Sequence, residues 1–131
     1  MWGVNTFDND VAINWLKKLN MGNDFSSIPA LIKRYNSLED LDDVTLDECT
    51  EVLAAIEVIA TAKTDDFKVF PSEFVDWLTN EDYSFTPEEI KDAKTLFDKI
   101  RKDSEIKELY IDSPQLKPWN EYMDVLEKKL K

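Results

Sequence analysis

The chain has 131 residues, enough for one domain that buries roughly two thirds of its unfolded surface without disulfides or metals. Lys and Arg sum to 16 against 28 Asp and Glu, and the net charge of −12 repels phosphate backbones and anionic membranes while attracting basic partners. No histidine is present, which removes Ser-His-Asp and Cys-His catalysis and the usual zinc ligands, and two isolated glycines, Gly3 and Gly22, cannot build a phosphate loop.

So few glycines are also too few for the tight turns of a sandwich or barrel, whereas charged helix formers abound, so the expected fold class is all-α. In chain order, the opening Trp2-Gly3-Val4-Asn5-Thr6-Phe7-Asp8-Asn9-Asp10 places two large aromatics beside a polar turn. Asp8 or Asn9 is suited to cap the helix that follows, Asp10 complements its positive end, and Trp2, Phe7, Asp8 and Asp10 read as a cap and plug. Val11, Trp15, Leu16 and Leu19 give that helix one apolar face, with Lys17 and Lys18 in its last turn and Gly22 as its expected stop. The pattern W-G-x-x-x-F-D-N-D followed by an amphipathic helix resembles the bacterial family catalogued as domain of unknown function 4259. The later pieces Ser104-Glu105 to Leu109 and Trp119 to Leu130 resemble its C-terminal part, and the middle matches as a helical pattern. Family members usually carry a Gly two residues after Gly3. Asn5 stands there in this chain, the next residue best able to adopt a left-handed conformation. The resemblance implies a fold unit and transfers no catalytic residue.

Ser26 or Ser27 before Ile28-Pro29 starts a short helix through Leu31, Ile32 and Tyr35, ended by Asn36-Ser37. The most convincing helix runs from Thr45 to Lys63. Thr45 and Glu48 form a capping box, Leu46, Cys49, Leu53, Ile56 and Ala60 repeat at helical spacing, and Val52 and Ile59 widen the stripe until the second half is apolar nearly all round. Such a helix belongs at the centre of a bundle. Cys49 lies on its buried stripe and reads as a small core residue.

Between Tyr35 and Ala62 stand Glu39, Asp40, Asp42, Asp43, Asp47, Glu48, Glu51 and Glu57 with no Lys or Arg, so this window carries −8 of the −12. A solvated face with acids near helix starts would account for it, and so would a docking surface for a basic protein. Asp40, Asp42 and Glu51 fall at positions one, three and twelve of an EF-hand loop, but Val44 and Thr45 occupy positions five and six, where the loop needs an oxygen ligand and a glycine turn. No metal or other cofactor is implied.

Thr64 to Thr86 is irregular and aromatic, with Phe67, Phe70, Phe74, Trp77, Tyr83 and Phe85 read as rings that clamp helices together. Pro71-Ser72 initiates a short helix that Thr79-Asn80 ends. Thr86-Pro87-Glu88-Glu89 is the clearest start signal, opening a helix with Ile90, Ala93, Phe97 and Ile100 inward. Asp103-Ser104 allows a kink or a fresh start, after which Ile106, Leu109 and Tyr110 continue the apolar spacing to Pro114. Lys117-Pro118 restarts a last helix with Trp119, Met123, Leu126 and Leu130 inward.

The expectation is therefore one helical domain over residues 1–131, with five to seven helices around the central one. No signal peptide or bilayer-spanning run is visible, which reads as a cytosolic protein. The expected function is a non-enzymatic acidic binding protein that docks a basic partner through Glu39, Asp40, Asp42, Asp43, Asp47, Glu48 and Glu51. An immunity protein of a bacterial nuclease toxin is one such case. The alternatives are a carboxylate-based metal-dependent hydrolase and a helical structural or regulatory module.

Overall fold

The computed structural model describes residues 3–131, and within them seven helices and no strand. They are α1 (Asp10–Gly22), α2 (Ser27–Asn36), α3 (Leu46–Thr64), α4 (Ser72–Asn80), α5 (Pro87–Lys102), α6 (Glu105–Ile111) and α7 (Leu116–Leu130). The capping box expected at the start of α3 is present, with Thr45 Oγ1 accepting the Glu48 N–H at 3.1 Å and Glu48 Oε1 accepting the Thr45 N–H at 3.1 Å. From Val52 to Thr61 every α3 side chain is buried, because α1, α2, α5, α6 and α7 all pack against it. Leu53, Ile56 and Ile59 are the large apolar members of that run, and each contributes roughly 1.5–3 kcal/mol by leaving water. The chain is an all-helical bundle around this axis.

The N-terminal segment explains its own motif. Asp8 turns the chain by donating its N–H to the Asn5 carbonyl at 3.1 Å and accepting the Asn5 N–H on its carboxylate at 3.2 Å. Asn9 then caps α1, accepting the Ala12 N–H at 2.9 Å and donating to the Thr6 carbonyl at 3.1 Å. Phe7 is buried with its ring centroid 4.8 Å from that of Phe70, and the Tyr110 hydroxyl donates to the Gly3 carbonyl at 2.5 Å. A Cβ on Gly3 would collide with the Asp8 carboxylate and stand 2.8 Å from Asp8 Cβ, so this position has room only for hydrogen. Trp2, assigned to the same plug, lies outside the described residues.

Several expectations are corrected. The turn at Asn5 forms without a left-handed residue there, since Asn23 and Asp65 are the non-glycine residues with positive φ among those described. Gly22 does not stop α1. It is the last helical residue, and Asn23 takes the left-handed cap at φ 49°. The reason is tertiary: Asn23 Oδ1 accepts the Trp77 Nε1–H at 3.0 Å and Asn23 Nδ2 donates to Glu81 at 3.2 Å, bonds that a glycine could not make. At Asp103-Ser104 the chain makes a fresh start, Ser104 capping α6 by accepting the Lys107 N–H at 3.2 Å. Leu109 points outward and is 39% exposed, because α6 is two turns long and Ile106 with Tyr110 already fill its inner face.

Replacing Gly3 with Ala should destabilise the fold by about 1–3 kcal/mol, the usual cost of overpacking a filled site. Adding Asp8→Ala should recover part of that loss, so urea melts of the two single variants and the double variant should give a non-additive cycle. Strict additivity would mean that Asp8 does not set the glycine requirement.

Candidate functional site

Leu41 and Val44 are buried on either side of Asp42 and Asp43, so the turn before α3 is pinned to the core by its apolar members while Glu39, Asp40, Asp42 and Asp43 are held in solvent. The turn closes on itself, with Asp40 Oδ1 accepting the Asp42 N–H at 3.1 Å and the Leu41 carbonyl accepting the Val44 N–H at 3.1 Å. Crowding by Asp40, then desolvation, Asp103 and Asp43, pushes the Asp42 carboxyl above its ordinary value. Asp103 is the cap residue between α5 and α6, some sixty positions away in sequence. It and Asp42 share a groove of about 430 Å³ with Leu41, Ser104, Glu105 and Glu108. Asp103, Glu105 and Glu108 were not among the residues singled out from the sequence, because the signal that joins them to the acidic turn is tertiary. The start of α6 lies on α3: the N–H groups of Glu105 and Ile106 reach the Cys49 thiol, whose burial pushes its pKa up to about 11.

The rest of the acidic window divides. Asp47 is exposed, whereas Glu48 and Glu51 are half-buried. Glu48 serves the fold with both oxygens, taking the Thr45 N–H on one and the Tyr35 hydroxyl on the other at 2.6 Å. The Tyr35 bond, followed by those from Thr45, holds the Glu48 carboxyl below its ordinary value, and burial with the Glu48 bond pushes Tyr35 up to about 12. Arg34 lies 5.3 Å from the centre of the Tyr35 ring. Burial raises Glu51, and Lys18 of α1 opposes that rise. Glu57 belongs to no surface. It is 1% exposed in the middle of α3, so one of the window's eight charges is removed from the face.

Among the described residues the ion pairs are Arg101 with Asp124 and Glu127, and Lys129 with Asp66, so none reaches residues 39–51. Two lysines of the adjoining helices α5 and α6 are otherwise engaged. Lys99 Nζ donates to the carbonyls of Asn36 and Leu38 at 3.0 and 3.2 Å, and Lys107 lies 5.5 Å from the Trp119 ring centre. The uncompensated part of the face is therefore Asp40, Asp42 and Asp43 together with Asp103, Glu105 and Glu108. Among the described residues no group of three or more acids or Cys is arranged to hold a metal ion. Among the described residues no helix is long and apolar enough to cross a membrane.

The aromatic segment works as a clamp. Phe25 stacks on Tyr83 at 4.3 Å with 4° between planes and on Trp77 at 5.5 Å, joining the start of α2 to α4 and the strand-free stretch after it.

A family model described as "Domain of unknown function (DUF4259)" matches residues 1–122. No curated protein and no solved structure matches the chain. Within the matched span the Tyr35–Glu48 bond is open to a direct test. Tyr35→Phe should cost about 1 kcal/mol at neutral pH. The bond favours the charged carboxylate, so its contribution is present above the unfolded Glu value of about 4.3 and is lost as pH falls through the lower folded value. Urea melts at about pH 7 and about pH 3 should show the difference between wild type and variant shrinking at the acid end. An equal difference at both would mean that the hydroxyl does not serve the ionised form.

Proposed function

The chain belongs to the DUF4259 family, and on that premise we propose that it is a non-enzymatic binding protein whose acidic face docks a basic protein partner. The observation that carries this reading is the meeting of Asp42 with Asp103. Two acidic stretches far apart in sequence converge on one groove, where Asp42 is crowded by Asp40, Asp103 and Asp43 and no described cation forms an ion pair. Like charges brought together in this way weaken the free protein and are relieved when a cationic surface covers them.

Among basic partners, a bacterial nuclease toxin domain suits the charge and size best. A nuclease gathers cations where it holds phosphates, and a small acidic protein seated on that groove would block substrate. In this reading the chain is an immunity protein that acts in the cytoplasm, and Glu39, Asp40, Asp42, Asp43, Asp103, Glu105 and Glu108 form its contact face. Asp47 and Glu51 lie at the margin, and Glu48 acts from within by setting the position of α2.

The test is a purified complex. Capture from the native cells should return a basic protein whose recombinant form binds this chain directly. Reversing Asp40, Asp42, Asp43 and Asp103 to Lys should lower the association rate by ~10 to 1,000-fold, as expected when steering is lost. Reversing the exposed Glu73 and Asp76 of α4 should leave the rate near that of wild type. An association rate unmoved by the four reversals would remove the proposed face. A melting temperature raised by sub-millimolar Mg²⁺ or Mn²⁺ would favour the metal-dependent hydrolase instead.

A further inference from the structure

Between its two ends, the stretch of residues 67–85 is held to the bundle by side chains alone. Among the described residues α4 is the helix that no other helix packs closely against. The turn and cap bonds around it run from Phe70 to Phe67, Phe74 to Pro71 and Glu81 to Trp77, so its backbone hydrogen bonds close within the stretch. Its side-chain hydrogen bonds to the bundle both end on Asn23, which accepts the Trp77 Nε1–H at 3.0 Å and donates to Glu81 at 3.2 Å. No ion pair among the described residues reaches it. The remaining hold is apolar: Phe70 packs on Phe7 at 4.8 Å, Tyr83 and Trp77 stack on Phe25 at 4.3 and 5.5 Å, and Phe74 and Leu78 are buried. Both ends are anchored. Asp65 leaves α3 in the left-handed conformation at φ 57°, and Asp66 is then fixed by the Thr61 hydroxyl, which donates to its carbonyl at 3.2 Å, and by Lys129, which pairs with its carboxylate at 3.3 Å. Thr86 is fixed by the capping box it forms with Glu89, at 2.8 and 3.1 Å.

We propose that residues 67–85 form a hinged flap, pivoting at Asp66 and Thr86, that lifts from the bundle as one unit when Trp77 and Tyr83 leave Phe25, and so uncovers Phe7 and Phe25.

The argument is one of relative cost. Moving any of α1, α2, α5, α6 and α7 opens the enclosed run of α3, because all five pack against it. Lifting residues 67–85 breaks no backbone hydrogen bond to the bundle, since theirs are internal and travel with them. Local openings follow the cheaper route. What opposes the motion is the burial of Phe70, Phe74 and Leu78, which keeps the closed form dominant. Phe25 is the keystone: it stands at the entry to α2, outside the flap, and is the ring on which two flap rings stack. Asn23, two residues before it, holds the same Trp77 and the end of α4, so apolar and polar holds meet at one place and are lost together.

The test is native-state hydrogen exchange in low urea, followed by NMR in the wild-type chain and in Phe25→Leu. In the wild type the amides of Asp76 to Asn80 and the Trp77 indole N–H should share one opening equilibrium. It should be more favourable and less urea-dependent than that of Ile56, Val58 and Ile59 in α3, since less surface is exposed. The stacking on Phe25 is lost both when the flap lifts and when the whole chain unfolds. Phe25→Leu should therefore speed exchange in α4 and in the middle of α3 by the same factor, roughly 5- to 150-fold for two aromatic pairs. Equal opening equilibria for α4 and α3 in the wild type would overturn the flap. So would acceleration confined to α3 in Phe25→Leu, which would mean that α4 frays with its rings still seated. Should Phe25→Leu fail to fold, the wild-type indole decides: exchange in step with the α4 amides sustains the proposal, and protection at the level of α3 ends it. Neither readout involves the acidic face, so the flap stands or falls apart from the docking role.

Discussion

The structure depends on one helix being surrounded. Five helices pack against α3, and the ten residues from Val52 to Thr61 have no route to water, so each must be apolar or have its polar atoms satisfied inside. Thr61, and Thr50 just before the run, meet that demand by bonding the carbonyls of Asp66 and Leu46 at 3.2 and 2.8 Å. Glu57 meets it through the Tyr122 hydroxyl of α7, which donates to its carboxyl. The N-terminal segment is more than a tail laid on the bundle. It buries Thr6 and Phe7 against the core, and the glycine and aspartate of the W-G-x-x-x-F-D-N-D motif shape the turn that places them.

Enclosure at one end of α3 also decides where charge collects. Helix α3 is enclosed from Val52 to Thr61, so its acids other than Glu57 crowd into the first two turns and the approach to them, where Asp47 and Glu48 gain roughly 0.3–1 kcal/mol each from the helix dipole. Glu48 is further absorbed by Tyr35. Such residues are explained by the fold alone. Of the turn residues, Asp40 accepts the Asp42 N–H, whereas the Asp42 and Asp43 carboxylates have no recorded bond and are held in solvent by the buried Leu41 and Val44.

What was legible in the sequence was local. The start of α3 at Thr45, the start of α5 at Thr86-Pro87 and the bounds of α4 after Pro71 depend on residues within one turn of each other, and all three stand where the spacing places them. The stop of α1 was misplaced for the opposite reason. Gly22 satisfies the local rule, but Asn23 has partners on Trp77 and Glu81 that no local rule contains. The candidate site follows the same division. Its Glu39 to Glu51 half is contiguous and visible as a charge run, whereas Asp103, Glu105 and Glu108 join it through the packing of α6 on α3. Glu57 was counted with the surface acids because net charge along a sequence carries no information on which side of a helix is enclosed. Its neighbours Ile56 and Val58 were the available hint, since a charge in the middle of an all-round apolar run has no solvent face to occupy.

Asp103 separates the two explanations of the acidic face most clearly. It lies at the C-terminal end of the 16-residue α5, the negative end of the dipole, where a carboxylate is disfavoured and a cation preferred. The basic residues of that last turn would offset this, yet Lys99 is bonded to the Asn36 and Leu38 carbonyls at the end of α2 and Arg101 is paired with Asp124 and Glu127 of α7. Only Lys102 of that turn has no bond or ion pair among the described residues, and it is exposed. Asp103 therefore faces Asp42 from between the C-terminal end of α5 and the N-terminal end of α6, with two of three local cations engaged elsewhere. Solubility does not require a carboxylate at that point, because the exposed acids of α4 and α7 supply negative surface without crowding a neighbour. A position that weakens the isolated bundle in this way supports the docking role proposed for the groove, because a cationic surface would relieve it.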